Sequence, residues 1–136
     1  MILLDTDVLT ALMRSEPEAV VAVDWFDAQP PESIWTTSVT VVEIRTGLEL
    51  PLSSRRPRDL EAAFERVLDE DLDQRFLAFD GAAADAAGAV VARRQRTGGR
   101  VDLRDAQIAG MASARKATDL GVRLFDPWGS GRGPEQ

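Results

Sequence analysis

The stretch Ile2-Leu3-Leu4-Asp5-Thr6-Asp7-Val8-Leu9 joins a short apolar run to an acid and then to a second apolar pattern. A continuous apolar run of this length is typical of a strand buried on both faces, as in a parallel sheet. From Val8 to Met13 the apolar residues recur at helical spacing. The stretch therefore predicts a strand and then a helix, with Asp5 at the carboxyl end of the strand. Open parallel sheets bind their ligands at that edge.

The rest of the chain repeats this alternation of strands and helices. Further strands are predicted at residues 34–39, 76–79 and 122–125, where β-branched or aromatic residues cluster. Asp80 and Asp102 stand where N-caps of the last two helices are expected. We predict one α/β domain, a three-layer α/β/α arrangement with a mostly parallel central sheet, over residues 1–128. The Gly- and Pro-rich residues 129–136 are expected to form a flexible tail.

Composition and length limit the classes of protein that remain. The 136 residues suffice for one core, and 44% hydrophobic with 29% charged residues is typical of a soluble globular protein. No apolar run approaches the roughly 20 residues that span a bilayer. The N-terminus also lacks the basic region of a signal peptide. We expect a cytoplasmic protein that does not bind a membrane.

Cysteine, histidine and tyrosine are absent from the chain. This excludes disulfides, Cys/His zinc sites and a histidine-based catalytic triad. Carboxylates, hydroxyls, arginines and a single lysine remain, which favours metal-assisted chemistry.

The net charge of −7 argues against a protein whose whole surface binds nucleic acid. Positive charge is nevertheless concentrated in one region, which we call the basic strip. It consists of Arg93, Arg94, Arg96, Arg100 and Arg104. Two further cations, Arg115 and Lys116, follow later in the chain. Such a strip can hold a phosphodiester backbone, although a solvated helix end explains any single arginine better.

Three acids are candidates for a metal site, and each has a structural alternative. Asp5 follows a predicted strand, but Asp5 or Thr6 can simply cap the next helix. Glu43 lies among apolar residues in the early part of a helix, where the helix dipole also favours an acid. Asp102 and Asp105 share one helix face and can form a reciprocal cap, a role that fits Asp102 better.

Four stretches occur in a recognisable order: residues 3–9 (Leu-Leu-Asp-Thr-Asp-Val-Leu), 37–47 (Thr-Ser-Val-Thr-Val-Val-Glu-Ile-Arg-Thr-Gly), 99–109 (Gly-Arg-Val-Asp-Leu-Arg-Asp-Ala-Gln-Ile-Ala) and 122–128 (Val-Arg-Leu-Phe-Asp-Pro-Trp). Together they resemble the motifs of PIN-domain proteins, in particular the VapC-type toxins of bacterial toxin–antitoxin pairs. Asp7 occupies a position where the family usually has Asn. Asp126 occupies the Asn position of the Asn-Pro-Trp motif that follows the family's last strand.

The resemblance implies an endoribonuclease in which Asp5, Glu43 and Asp105 hold Mg²⁺ or Mn²⁺ and hydrolyse RNA. It also implies a cognate antitoxin protein as partner, and a homodimer. Carboxylate oxygens suit such hard cations, and a bound cation activates water at neutral pH.

The chain departs from the family pattern after the helix that contains Asp105. The family has a buried strand and a further acid before its last strand, and roughly ten residues are missing here, judged from usual strand and loop lengths. Asp119 does not match the position of that further acid. We expect the natural polypeptide to contain the segment between Thr118 and Asp119, because deleting a buried strand exposes unpaired backbone groups. If it does not, residues 122–125 are expected to take the vacant position and nuclease activity to be weak or absent.

Two other functions remain open. Asp5-Thr6-Asp7-Val8 also fits the nucleophile motif of haloacid-dehalogenase phosphatases, but that class needs a lysine ahead of its final acidic pair, and Lys116 follows Asp105. A PIN-like module that binds a partner or RNA without cutting is the second alternative, favoured by the missing segment.

Overall fold

A computed structural model describes residues 1–14, 17–50, 58–118 and 123–124 of the chain. The described strands and helices follow one another in this order: β1 Ile2–Leu3, α1 Thr6–Arg14, α2 Val20–Asp27, β2 Ile34–Thr37, α3 Ser38–Glu49, α4 Arg58–Arg66, β3 Phe76–Leu77, α5 Gly81–Arg96, α6 Leu103–Thr118 and β4 Arg123–Leu124. A π-helical turn, Val67–Asp71, extends α4. The predicted α/β class is confirmed. Among the described helices, none has the length and apolar character needed to cross a bilayer.

The four strands form one parallel sheet in the order β3-β2-β1-β4. Ile2 of β1 pairs with Ile34 on one side and with Arg123 on the other. The last strand therefore lies directly beside β1, as expected for a chain without the additional family strand. Asp119, residues 51–57 and the predicted tail at residues 129–136 lie outside the described residues.

Helices cover both faces of this sheet. Leu3 and Leu4 are each only 1% exposed, yet they belong to different core clusters, because successive strand residues point to opposite faces. Leu4 packs in a cluster with Val8 of α1 and Phe64 of α4. Leu3 packs in a cluster with Met111 of α6. The three-layer α/β/α arrangement is thus confirmed.

The predicted strand at residues 34–39 is too long by two residues. Thr37 is the N-cap of α3, since its side chain accepts a hydrogen bond from the Thr40 backbone N–H at 3.1 Å. The cap bond starts a helix at Ser38 although β-branched residues continue to Val42, because packing overrides β propensity. β3 similarly ends at Leu77 rather than at residue 79.

Helices α5 and α6 pack closely against each other. A Cβ atom at Gly110 of α6 would lie 2.5 Å from the Ala83 carbonyl oxygen and 2.8 Å from the Ala87 backbone nitrogen, both in α5. Asp80 caps α5, as predicted, by accepting a hydrogen bond from the Ala83 N–H at 2.9 Å. The close packing holds α6, which carries Asp105, in a fixed position beside the sheet.

Candidate active site

Asp5 lies exposed just beyond β1, at the carboxyl edge of the sheet. Its Oδ1 accepts a hydrogen bond from the Val8 N–H at 3.0 Å, so the predicted capping role is confirmed for Asp5. The buried Thr36 hydroxyl donates to the Leu4 carbonyl at 2.9 Å and fixes the backbone immediately before Asp5. Capping is compatible with a second role, because a carboxylate has two oxygens and several acceptor positions.

Glu43 projects from the second turn of α3, and its side chain is 19% exposed. Its Oε2 accepts a hydrogen bond from the Thr6 hydroxyl. Its Oε1 lies 3.6 Å from Nε of Arg104. Thr6 follows Asp5 in the chain and Arg104 precedes Asp105, so elements α1, α3 and α6 converge on the Glu43 carboxylate.

The start of α6 is organised by Asp102. Its Oδ1 accepts hydrogen bonds from the backbone N–H groups of Arg104 at 2.9 Å and Asp105 at 3.2 Å, which confirms the predicted cap. Asp105 is exposed in the first turn. Within the described part of the chain its side chain forms no hydrogen bond or ion pair, so the reciprocal cap considered for Asp105 is not formed.

The three candidate ligands do not form a coordination sphere in this arrangement. Across residues 1–14, 17–50, 58–118 and 123–124, no three acidic side chains lie close enough together to hold one metal ion. The oxygens of Glu43 contact Thr6 and Arg104 instead. The donor chemistry still fits Mg²⁺ or Mn²⁺, because these cations prefer carboxylate oxygen. A site built from Asp5, Glu43 and Asp105 therefore requires these side chains to move closer together than they lie here.

The basic strip adjoins this acidic group. Its five arginines are exposed and extend from the last turn of α5, through residues 97–102, to the first turn of α6. Residues 93–104 contain these five arginines and only one acid, Asp102, in a chain with a net charge of −7. Arg104 is the member of the strip that contacts Glu43. Arg115 lies elsewhere, 5.9 Å above the Trp35 ring.

The sequence patterns do not predict the roles of Thr6 and Arg104. They indicate Thr6 only as a helix cap and Arg104 only as one charge in the basic strip. The positions of these residues in the chain hold a usable signal, because each is adjacent to a candidate acid at the start of a helix. A helix start that brings an acid to the sheet edge also brings its neighbours there.

The fold and the site together define a small parallel α/β protein with acids at the carboxyl edge of its sheet and arginines beside them. The family model described as "PIN domain" matches residues 2–121. The chain therefore belongs to the PIN-domain family, which leaves the phosphatase alternative without support.

Two curated relatives and one solved structure show this likeness. "Plasmid stability protein StbB" of Pseudomonas syringae pv. tomato is 33% identical and aligns with 94% of this chain and 99% of its own length. "VapC ribonuclease Y4jK" of Sinorhizobium fredii is 32% identical over 94% of this chain and 98% of its own. The structure described as "FitAB bound to IR36 DNA fragment" has 28% identity and a TM-score of 0.76, covering 94% of this chain and 96% of that chain.

The alignment with the Pseudomonas relative also measures a difference in length. It spans 138 positions but covers 94% of these 136 residues, about 128, which leaves about ten positions without a residue of this chain. The difference in total length is of the same size as the roughly ten residues judged to be missing from usual strand and loop lengths.

Proposed function

We propose that this chain is a metal-dependent endoribonuclease and the toxin of a toxin–antitoxin pair, acting in the cytoplasm. Family membership and the relative named a VapC ribonuclease support a toxin ribonuclease. One structural observation carries the assignment of the site: Thr6 and Arg104, the chain neighbours of Asp5 and Asp105, both contact Glu43.

In this proposal Asp5, Glu43 and Asp105 hold Mg²⁺ or Mn²⁺. The bound cation supplies an activated water and offsets charge on the phosphoryl group. The Thr6 hydroxyl orients the Glu43 carboxylate. The basic strip binds the RNA backbone, because its local positive charge offsets the acidic surface of the rest of the chain.

Cleavage of single-stranded RNA by the purified chain tests this function. Mg²⁺ or Mn²⁺ should support cleavage, and Asp5→Ala, Glu43→Ala and Asp105→Ala should each abolish it while leaving the circular dichroism spectrum unchanged. The matched control is Asp85→Ala, which removes an exposed acid from α5 outside the candidate site. Full activity in excess chelator, or equal losses in Asp85→Ala, would contradict the proposal.

The alternative of a PIN-like module that binds without cutting is favoured by the family segment with a further acid that the sequence lacks between Thr118 and Asp119, and it is opposed by the three retained acids. The same experiment decides between the two functions. A non-cutting module would bind RNA or its partner and leave the RNA intact with either cation.

The proposed antitoxin is a short chain that places an apolar helix in a groove on this domain and directs an arginine toward the acids. Charge-assisted pairing with several carboxylates would exclude the metal or the substrate. Two exposed apolar residues support an apolar partner: Val42, 64% exposed, precedes Glu43, and Leu103, 65% exposed, precedes Arg104.

Co-expression with the small protein encoded beside it tests the partner. Leu103→Glu should weaken co-purification, whereas Leu50→Glu should not, since Leu50 is equally exposed at 68% but is the C-cap of α3, seven positions after Glu43. If the neighbouring protein neither co-purifies nor relieves toxicity, the antitoxin proposal fails. Sedimentation velocity of the free chain tests the proposed homodimer.

A further inference from the structure

The Glu43–Arg104 pair holds a carboxylate that has little access to water. Glu43 is 19% exposed, and a carboxylate in such surroundings is stable only when charged or hydrogen-bonded partners replace its water. The Thr6 hydroxyl contacts one oxygen, and the Arg104 guanidinium, 3.6 Å away, provides the positive charge beside the other. Arg104 is thus the counter-ion of Glu43 in the metal-free chain.

The Arg104 guanidinium can also move away from Glu43 into solvent. The Arg104 side chain is 61% exposed, and its other acidic contact, Asp102 Oδ1, is 3.8 Å from Nε. A divalent cation bound to Glu43 and the Arg104 guanidinium both carry positive charge. They would repel each other if both remained beside the same carboxylate. Because Arg104 lies on a flexible exposed stem, the repulsion is relieved when its side chain turns toward solvent.

We propose that Arg104 is an exchangeable counter-ion that neutralises Glu43 in the metal-free site and, once displaced by the cation, binds a phosphate of the RNA. This inference rests on the proposed function. A guanidinium binds phosphate through paired N–H donors, and Arg104 is the member of the basic strip next to the acids. Metal loading and RNA binding are then coupled through one side chain, and by linkage each strengthens the other.

The first measurement is calorimetric titration of RNA-free protein with Mn²⁺. Arg104→Gln, which removes the competing charge, should bind Mn²⁺ more tightly by roughly 5- to 10-fold, the lower end of the range typical of couplings between sites. Arg104→Lys keeps the charge and should bind Mn²⁺ nearly as the wild type does. Arg100→Gln is the matched control within the basic strip and should leave Mn²⁺ affinity unchanged.

The second measurement is the salt dependence of binding to a single-stranded 2′-O-methyl oligonucleotide. Because a metal-activated water does not need the 2′-hydroxyl, gel electrophoresis after each titration verifies that the oligonucleotide is intact. Each lost phosphate contact reduces the magnitude of the slope of log K against log salt by about 0.7 for a single strand. Arg104→Gln should reduce the magnitude of the salt slope in Mn²⁺. It should not change the slope in chelator, because there the Arg104 side chain is paired with Glu43 and does not contact RNA. Arg100→Gln should reduce the magnitude of the slope in both conditions.

The outcomes separate this inference from the function on which it rests. A wild-type chain that binds no Mn²⁺ refutes the metal-dependent function and this inference with it. If the wild type binds Mn²⁺ and Arg104→Gln binds it equally or more weakly, only the counter-ion role is refuted. An equal change of salt slope in Mn²⁺ and in chelator would also overturn the exchange, because Arg104 would then contact RNA in both states. Circular dichroism of each variant verifies that the fold is retained.

Discussion

Gly110→Ala tests how closely α5 and α6 must approach to form the site. In the interior of a helix this substitution ordinarily stabilises a protein by about 1 kcal/mol, because alanine is the better helix former. At Gly110 the new Cβ would lie 2.5 Å from the Ala83 carbonyl oxygen and 2.7 Å from the Ala87 Cβ. Relaxed carbon contacts are about 3.5–4.0 Å long, so the two helices must move apart by about 1 Å.

Overpacking of this kind costs about 1–3 kcal/mol, and the upper part of that range applies because the opposing atoms include backbone. After the helix-propensity gain, we expect a net loss of about 1–2 kcal/mol in the free energy of unfolding. For a chain of this size that loss lowers Tm by roughly 3–10 °C. At temperatures below the Tm, where the chain is still folded, the rate of RNA cleavage should also decrease. The reason is that α6 carries Arg104 and Asp105 and would be displaced from Glu43.

The measurement is urea unfolding followed by circular dichroism, with Gly88→Ala as the matched control. Gly88 is also inside a helix, α5, but it is exposed, and a Cβ atom added there would have no neighbouring atom within 4 Å among the described residues. Gly88→Ala should therefore raise stability by about 0.5–1 kcal/mol. If Gly110→Ala is as stable as Gly88→Ala, the two helices do not pack as closely as described and the reasoning is wrong.

Four further expectations concern other parts of the chain. Asp102→Ala, which removes the cap of α6, should lower the free energy of unfolding by about 0.5–2 kcal/mol in a denaturant titration. Burial and the negative charges of two neighbouring acids raise the pKa of Asp71 above its ordinary value of 3.8, so the folded chain holds this proton more tightly than the unfolded chain does. Stability should accordingly fall as pH rises from the ordinary value through the raised pKa, and Asp71→Asn should remove that loss. Asp126 follows β4 by two positions, as Asp5 follows β1, so Asp126→Asn should reduce cleavage more than Asp119→Asn; equal activities would argue against this. A natural protein with an intact mass of 14.8 kDa would refute the expectation that it contains the additional segment.

Much of the fold follows from local signals in the sequence. The apolar run before Asp5 predicts β1, and the caps at Asp80 and Asp102 predict the starts of α5 and α6 correctly. The end of β2 is not predicted, because residues 34–39 are rich in strand-forming residues. The helix begins at Ser38 because helix packing overrides that propensity and the Thr37 side chain accepts a hydrogen bond from the Thr40 N–H. A single hydrogen bond of this kind has little trace in residue propensities.

The candidate site shows a different limit of sequence reasoning. The motifs identify Asp5, Glu43 and Asp105, but their spacing in the chain does not say which side chains meet. The contact of Arg104 with Glu43 joins residues 61 positions apart and depends on how α6 packs against α3. The close approach at Gly110 is equally hidden, since a glycine in a helix becomes informative only when the facing helix is known.

The direct pairing of β4 with β1 has a consequence for the order of folding. It joins Ile2, near the start of the chain, to Arg123, near its end. Contacts between such distant positions form late, because a long loop must close before they are made. A ribosome must therefore synthesise the chain as far as residues 123–124 before the second edge of β1 can be paired. A nascent chain that stops short of these residues leaves one edge of the strand before Asp5 unpaired, so the sheet beside the candidate active site is still incomplete.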